Sequence, residues 1–84
     1  MNQGFDDIFQ ANQQFASAFK SSGLTGHAAR ELAIVTCMDS RIDPLRVVGM
    51  TPGDAKILRN AGARVTEDVL RTLVLASHLL NVKR

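Results

Sequence analysis

Apolar residues recur at helical spacing near both ends of the chain and crowd into short runs between them. Near the start, Phe5, Ile8, Phe9, Ala11, Phe15 and Phe19 fall at steps of three and four, with Gln10, Asn12, Gln13, Gln14 and Ser17 mostly between them. That period predicts an amphipathic helix over residues 6–20, stopped by Ser21-Ser22-Gly23, and a loop through residue 29. All four aromatic residues of the chain sit on this one stripe, so the stripe needs a cover.

The run Leu32-Ala33-Ile34-Val35 then predicts a strand over residues 31–36, apolar enough for both of its faces to be covered, as in a parallel sheet. Asp43-Pro44 opens a short helix, with Asp43 placed to cap free N–H groups and Pro44 at the first helical position, where its missing donor costs nothing. Gly49 should end that helix, and the turn Thr51-Pro52-Gly53-Asp54 leads to a second strand over residues 55–59. A last helix is predicted from Thr66, a capping residue followed by Glu67 and Asp68, which suit the positive end of the helix dipole. Its broad apolar face comprises Val65, Val69, Leu70, Leu73, Val74, Ala76 and Leu80; Asn81 is the stop signal, and Val82-Lys83-Arg84 points toward a further strand.

Two strands joined through a helix imply a right-handed parallel crossover, with a ligand crevice at the carboxyl ends of the strands. The fold class expected is therefore α/β, a parallel sheet with crossover helices, preceded by an N-terminal amphipathic helix. Residues 1–30 form a helical arm and loop expected to contact another subunit, and residues 31–84 form the first part of an α/β domain. A two-stranded sheet is marginal in water, so the wide apolar helix faces ask for further strands or subunits.

Composition narrows the function classes. At 84 residues with 45% apolar content the chain is neither disordered nor large enough to bury a generous core, and one cysteine allows no internal disulfide. A net charge of +2, spread from Lys20 to Arg84, gives no basic stripe for nucleic acid. No apolar run spans a bilayer, and the start Met1-Asn2-Gln3-Gly4-Phe5-Asp6-Asp7 lacks the pattern of a secretory signal, so a cytoplasmic location without membrane contact is expected. A nucleotide-binding α/β domain is disfavoured, because no Gly-x-Gly-x-x-Gly or Walker-type loop follows either strand.

The candidate chemistry lies just after the first strand, in Cys37-Met38-Asp39-Ser40-Arg41. In an extended chain the side chains of Cys37, Asp39 and Arg41 leave one face together, with Cys37 and Asp39 roughly 6–7 Å apart. A thiolate is a preferred zinc ligand, whereas the Arg41 guanidinium competes for Asp39 through two parallel hydrogen bonds, so Asp39 either binds metal or is held off it. The bland alternative is a buried structural cysteine followed by a surface ion pair. Asn60-Ala61-Gly62 falls at the end of the second strand, where glycine permits close approach and exposed N–H groups suit a small anion; equally, it is a simple turn. Neither His27, in a loop, nor His78, in a last helical turn, is placed as a metal ligand.

Val35-Thr36-Cys37-Met38-Asp39-Ser40-Arg41 followed by Arg59-Asn60-Ala61-Gly62 resembles the β-class carbonic anhydrase family, over about residues 31–80. The resemblance implies zinc on Cys37, an Asp39–Arg41 pair that frees the fourth zinc position, Gly62 beside the substrate, and hydration of carbon dioxide to bicarbonate. It implies a homodimer built partly through the N-terminal helix, with Phe5, Phe9, Phe15 and Phe19 in the contact. Family members complete the zinc site with a His-x-x-Cys segment on the strand after the last helix, and no such segment occurs in this sequence. The expected fold is thus an incomplete β-carbonic-anhydrase-like one, with the 84 residues alone expected to be inactive. The competing expectation is a non-catalytic, zinc-free relative that serves as an assembly module.

Overall fold

The computed structural model describes residues 4–84, in the order α1 (Asp6–Ser17), β1 (Leu32–Cys37), α2 (Pro44–Val47), β2 (Ala55–Asn60) and α3 (Glu67–Leu79). All five expected elements are present, with small shifts at their ends. α1 stops at Ser17 instead of residue 20 because its last turn tightens: Ala18 and Phe19 donate to carbonyls three residues back, and Ser17 Oγ bonds the Gln14 carbonyl at 3.0 Å. Leu32, not Glu31, begins β1, since Glu31 has φ 58°, a left-handed conformation that no strand accommodates.

β1 and β2 pair in parallel, from Leu32↔Ala55 to Cys37↔Asn60, so the two strands end side by side. One further ladder bond, from Met38 N–H to the Asn60 carbonyl at 2.9 Å, extends the pairing past Cys37. The crossover between the strands contains α2, whose Asp43 cap accepts from the Arg46 N–H and whose exit uses Gly49 at φ 69°.

The segment after α3 returns to the sheet. Asn81 takes φ 66°, a left-handed helix end that asparagine tolerates. Arg84 N–H then donates to the Glu31 carbonyl at 3.1 Å and the Ala33 N–H to the Arg84 carbonyl at 2.9 Å, the alternation of a parallel pairing on the free edge of β1. An ion pair of 2.9 Å between Lys83 and Glu31 lies alongside.

Little of the chain is covered. Ala28, Ala76 and Val82 form the buried cluster, with Ala33 packed against it, and Val69 is the other buried apolar residue among those described. The strands, expected to be buried on both faces, are half-buried at nearly every position. β1 and β2 make the most extensive contact among the described elements, and α3 joins the buried cluster beside Ala33 of β1 through Ala76. A radius of gyration of 15.3 Å, against about 12 Å for a compact chain of this length, reflects that openness.

Candidate metal and catalytic site

Two loops meet at the carboxyl ends of the strands, residues 37–42 after β1 and 60–64 after β2. The parallel register brings them together, because Cys37 and Asn60 are partners in the last pair of the ladder.

The first loop is a turn, not the extended segment expected. β1 ends at Cys37, and Ser40 and Arg41 turn back so that the Ile42 N–H donates to the Asp39 carbonyl at 3.0 Å. Asp39 builds this turn: its Oδ1 accepts from the Arg41 backbone N–H at 2.9 Å, the local bond that short acidic side chains make two residues ahead. The Arg41 side chain then folds back on the same carboxylate, with Nε at 3.1 Å from Oδ1 and Nη2 at 2.7 Å from Oδ2. Asp39 and Arg41 therefore do come together, through a turn closed by the aspartate and not through strand alternation. The Arg41 side chain is 88% exposed and that of Asp39 29%.

The pairing fixes the charge state. Arg41, through its side chain first and its backbone N–H second, holds the Asp39 carboxyl below the usual carboxylate range, against a small opposing effect of burial. Arg41 is pushed up in return and stays cationic. With Nη2 and Nε on one side, Asp39 Oδ2 keeps acceptor capacity for a further donor.

Cys37 is half-buried and free. Hydrogen bonding from the Gly62 backbone N–H, then from that of Asp39, holds its thiol below the ordinary range; burial and the Asp39 charge push the other way by less. Gly62, at φ 88°, takes a conformation that side-chain-bearing residues rarely adopt, in the loop that carries this amide.

The second loop is gripped by Asn60, whose Nδ2 donates to the Arg64 carbonyl at 2.7 Å while Oδ1 accepts from the Arg64 N–H at 2.8 Å. The first is gripped by Arg59, whose Nε donates to the Cys37 carbonyl at 3.0 Å and whose Nη2 donates to those of Asp39 at 2.8 Å and Ile42 at 3.2 Å. Neither role emerged from the sequence. The available signal was two adjacent multi-donor side chains at the end of a strand, next to a glycine.

A closed zinc site takes four protein donors, and a catalytic one three. Cys37 fits such a site as one soft donor already biased toward thiolate. Asp39, the second expected ligand, is engaged by Arg41, and no group of three or more His, Cys, Asp or Glu side chains comes together among the described residues. His27 lies in an exposed loop and His78 in the exposed last turn of α3. The described residues thus supply one fitting ligand and its surroundings, not a whole metal site.

Comparison with known proteins agrees with this geometry. The family model for carbonic anhydrase matches residues 32–84. Beta-carbonic anhydrase 1 of Mycobacterium tuberculosis is 41% identical over 78 residues, covering 93% of this chain and 47% of that protein. A crystal structure of carbonic anhydrase from Streptococcus mutans superposes with a TM-score of 0.88 at 41% identity, covering 98% of this chain and 49% of the other. Carbon disulfide hydrolase of Saccharolobus solfataricus is 43% identical over 54 residues, 64% of this chain and 26% of that protein. The chain spans about half the length of the curated carbonic anhydrases it matches. With its parallel strand ends, its cysteine and its aspartate–arginine pair in the matched region, the chain belongs to the β-carbonic anhydrase family.

Proposed function

We propose that the protein is a zinc-dependent carbonic anhydrase that hydrates carbon dioxide to bicarbonate, with Cys37 as one zinc ligand and the Asp39–Arg41 pair as its catalytic partner. The observation that carries this reading is the two-pronged Arg41 clamp on Asp39, next to a thiol that backbone N–H groups favour as thiolate. Zinc, when bound, supplies Lewis-acid activation of water near neutral pH.

The residues of this chain have separate tasks. Cys37 offers a negative sulfur, held for metal by the Gly62 and Asp39 amides. Arg41 keeps Asp39 ionised and draws its carboxylate away from the sulfur, leaving a coordination position open. Asp39 Oδ2 accepts a hydrogen bond from the reacting water and so aims the oxygen lone pair at the carbon of carbon dioxide. Addition of water to that carbon gives bicarbonate and releases one proton. Gly62, having no side chain, leaves room for the flat substrate beside the sulfur. A cytoplasmic location and a homodimer formed through α1 belong to the same proposal.

Metal analysis of the full protein tests it. Wild type should retain zinc after dialysis, and Cys37→Ser should lose it along with carbon dioxide hydration measured by stopped flow. Stoichiometric zinc in the Cys37→Ser variant would overturn the ligand assignment. A wild-type protein without zinc would favour a non-catalytic assembly role.

A further inference from the structure

We propose that Arg59 is a positioning residue, a guanidinium brace that holds residues 37–42 in the one turn that lets Arg41 clamp Asp39. The inference rests on the functional reading above only in calling the clamp useful; the brace itself is argued from geometry.

The Asp39–Arg41 pair does not hold itself in place. Arg41 is largely in water, where an ion pair is screened and its long side chain has many alternatives. The backbone beneath it is bonded locally only by the Ile42 N–H to the Asp39 carbonyl and the Arg41 N–H to Asp39 Oδ1. Past Met38 the turn leaves the β2 ladder, so the carbonyls of Asp39 and Ile42 have no strand partner there. Arg59 meets both of them, and that of Cys37 as well. Its donors therefore span the turn from the metal-ligand candidate at one end to Ile42 at the other.

Only a planar fork does this. Five N–H donors at fixed angles reach three carbonyls from one side chain, whereas a lysine ammonium has three donors at a single point. Arg59 is also set by the strand that ends in Asn60, whose side chain grips the Gly62 loop. Adjacent residues of β2 thus fix the two loops that flank the sulfur.

The test compares Arg59→Lys and Arg59→Ala in the full protein by 15N NMR, with no activity required. In wild type the Arg41 Nε–H should give a resolved, slowly exchanging signal. Both variants should lose that signal and exchange the Ile42 amide at least tenfold faster, while amides within β1 and β2 keep their protection. Added guanidinium ion should restore part of the Arg41 signal in Arg59→Ala. Unchanged Arg41 and Ile42 signals in either folded variant would overturn the proposal. Equal loss of protection across the sheet, or failure of both variants to fold, would do so too, by making Arg59 a general stabiliser. Loss of zinc or activity in wild type would count against the functional reading and leave these outcomes readable.

Discussion

At the scale of single residues, the site is a contest over two negative groups. The Asp39 charge disfavours a thiolate at Cys37, yet both groups sit below their ordinary pKa ranges because each has its own donors. For Cys37 the largest is the Gly62 amide, and Asn60 fixes the loop that carries it. Asn60→Ala should therefore raise the thiol's midpoint toward the free-cysteine value of about 8.5, read as the pH dependence of iodoacetamide alkylation in metal-free protein. An unchanged alkylation profile would mean that the loop holds its shape without Asn60. Asp39 carries the opposite kind of dependence. Its folded pKa is depressed, so its contribution to the fold is complete above the unfolded value of about 3.9 and is lost as pH falls through the lower folded value. The Arg41 clamp should hence survive mild acid, with the Arg41 Nε–H signal in NMR fading only below pH about 4. If the protein is the zinc hydratase proposed above, Arg41→Ala should free Asp39 to reach the metal, so that the full protein keeps zinc and loses most of its carbon dioxide hydration; an unchanged rate would show that the clamp is not needed.

At the scale of elements, local sequence rules set nearly everything that needs no distant partner. Thr66 caps α3 through the Val69 N–H, Asp43 caps α2, and the left-handed Asn81 ends α3 where an asparagine was read as a stop. Thr66→Ala should lower stability by about 1 kcal/mol, measured by urea unfolding of the full protein, because it strips one N–H of its acceptor at the start of the longest helix. Gly62→Ala is a different case: the nearest atom to the added Cβ would be Arg64 Nε at 3.5 Å, so there is room, and the penalty is conformational. At φ 88° it should cost about 1–2 kcal/mol and disturb the thiol's amide donor as well. What the sequence concealed was the long-range part of the site. Period-2 alternation placed Asp39 and Arg41 together for the wrong reason, since the segment turns where an extended strand was expected. Arg59 was legible as a residue in a recognisable block, but its three carbonyl partners lie 17 to 22 positions away and exist only once β1 and β2 pair. The same holds for residues 82–84, whose strand-like character was visible while their register beside Glu31 and Ala33 was not.

For the molecule as a whole, the exposed apolar surface is the dominant fact. Phe9 and Phe15 are 65% and 63% exposed, Phe5, Ile8 and Phe19 nearly as much, and α1 has no buried residue at all. The rings pair along the stripe, Phe5 with Phe9 at 6.4 Å and Phe15 with Phe19 at 5.6 Å between centroids. Where α1 ends, an open groove of ≈ 550 Å³ lies between Phe15, Phe19, Leu24 and Pro52, so the apolar stripe continues onto the body of the chain. Leu70 and Val74 on one side of α3, and Leu75 and Leu79 on another, add further uncovered apolar surface. A buried phenylalanine contributes roughly 1.5–3 kcal/mol relative to an exposed one, so an aromatic stripe of this length, once covered, holds a partner firmly, and left in water it favours association of any kind. The homodimer proposed above would cover it symmetrically, the common closed solution for a self-complementary patch. Phe9→Asp puts a charge in the middle of the stripe. If the full protein forms that proposed dimer, the change should weaken it by at least about tenfold, since about 1.4 kcal/mol suffices for that, as measured by sedimentation equilibrium. Ser17→Asp, on the polar side of the same helix, controls for added charge and should leave the dimer intact. An equal loss in both variants, or none in Phe9→Asp, would place the subunit contact elsewhere, with the exposed face of α3 as the remaining apolar surface.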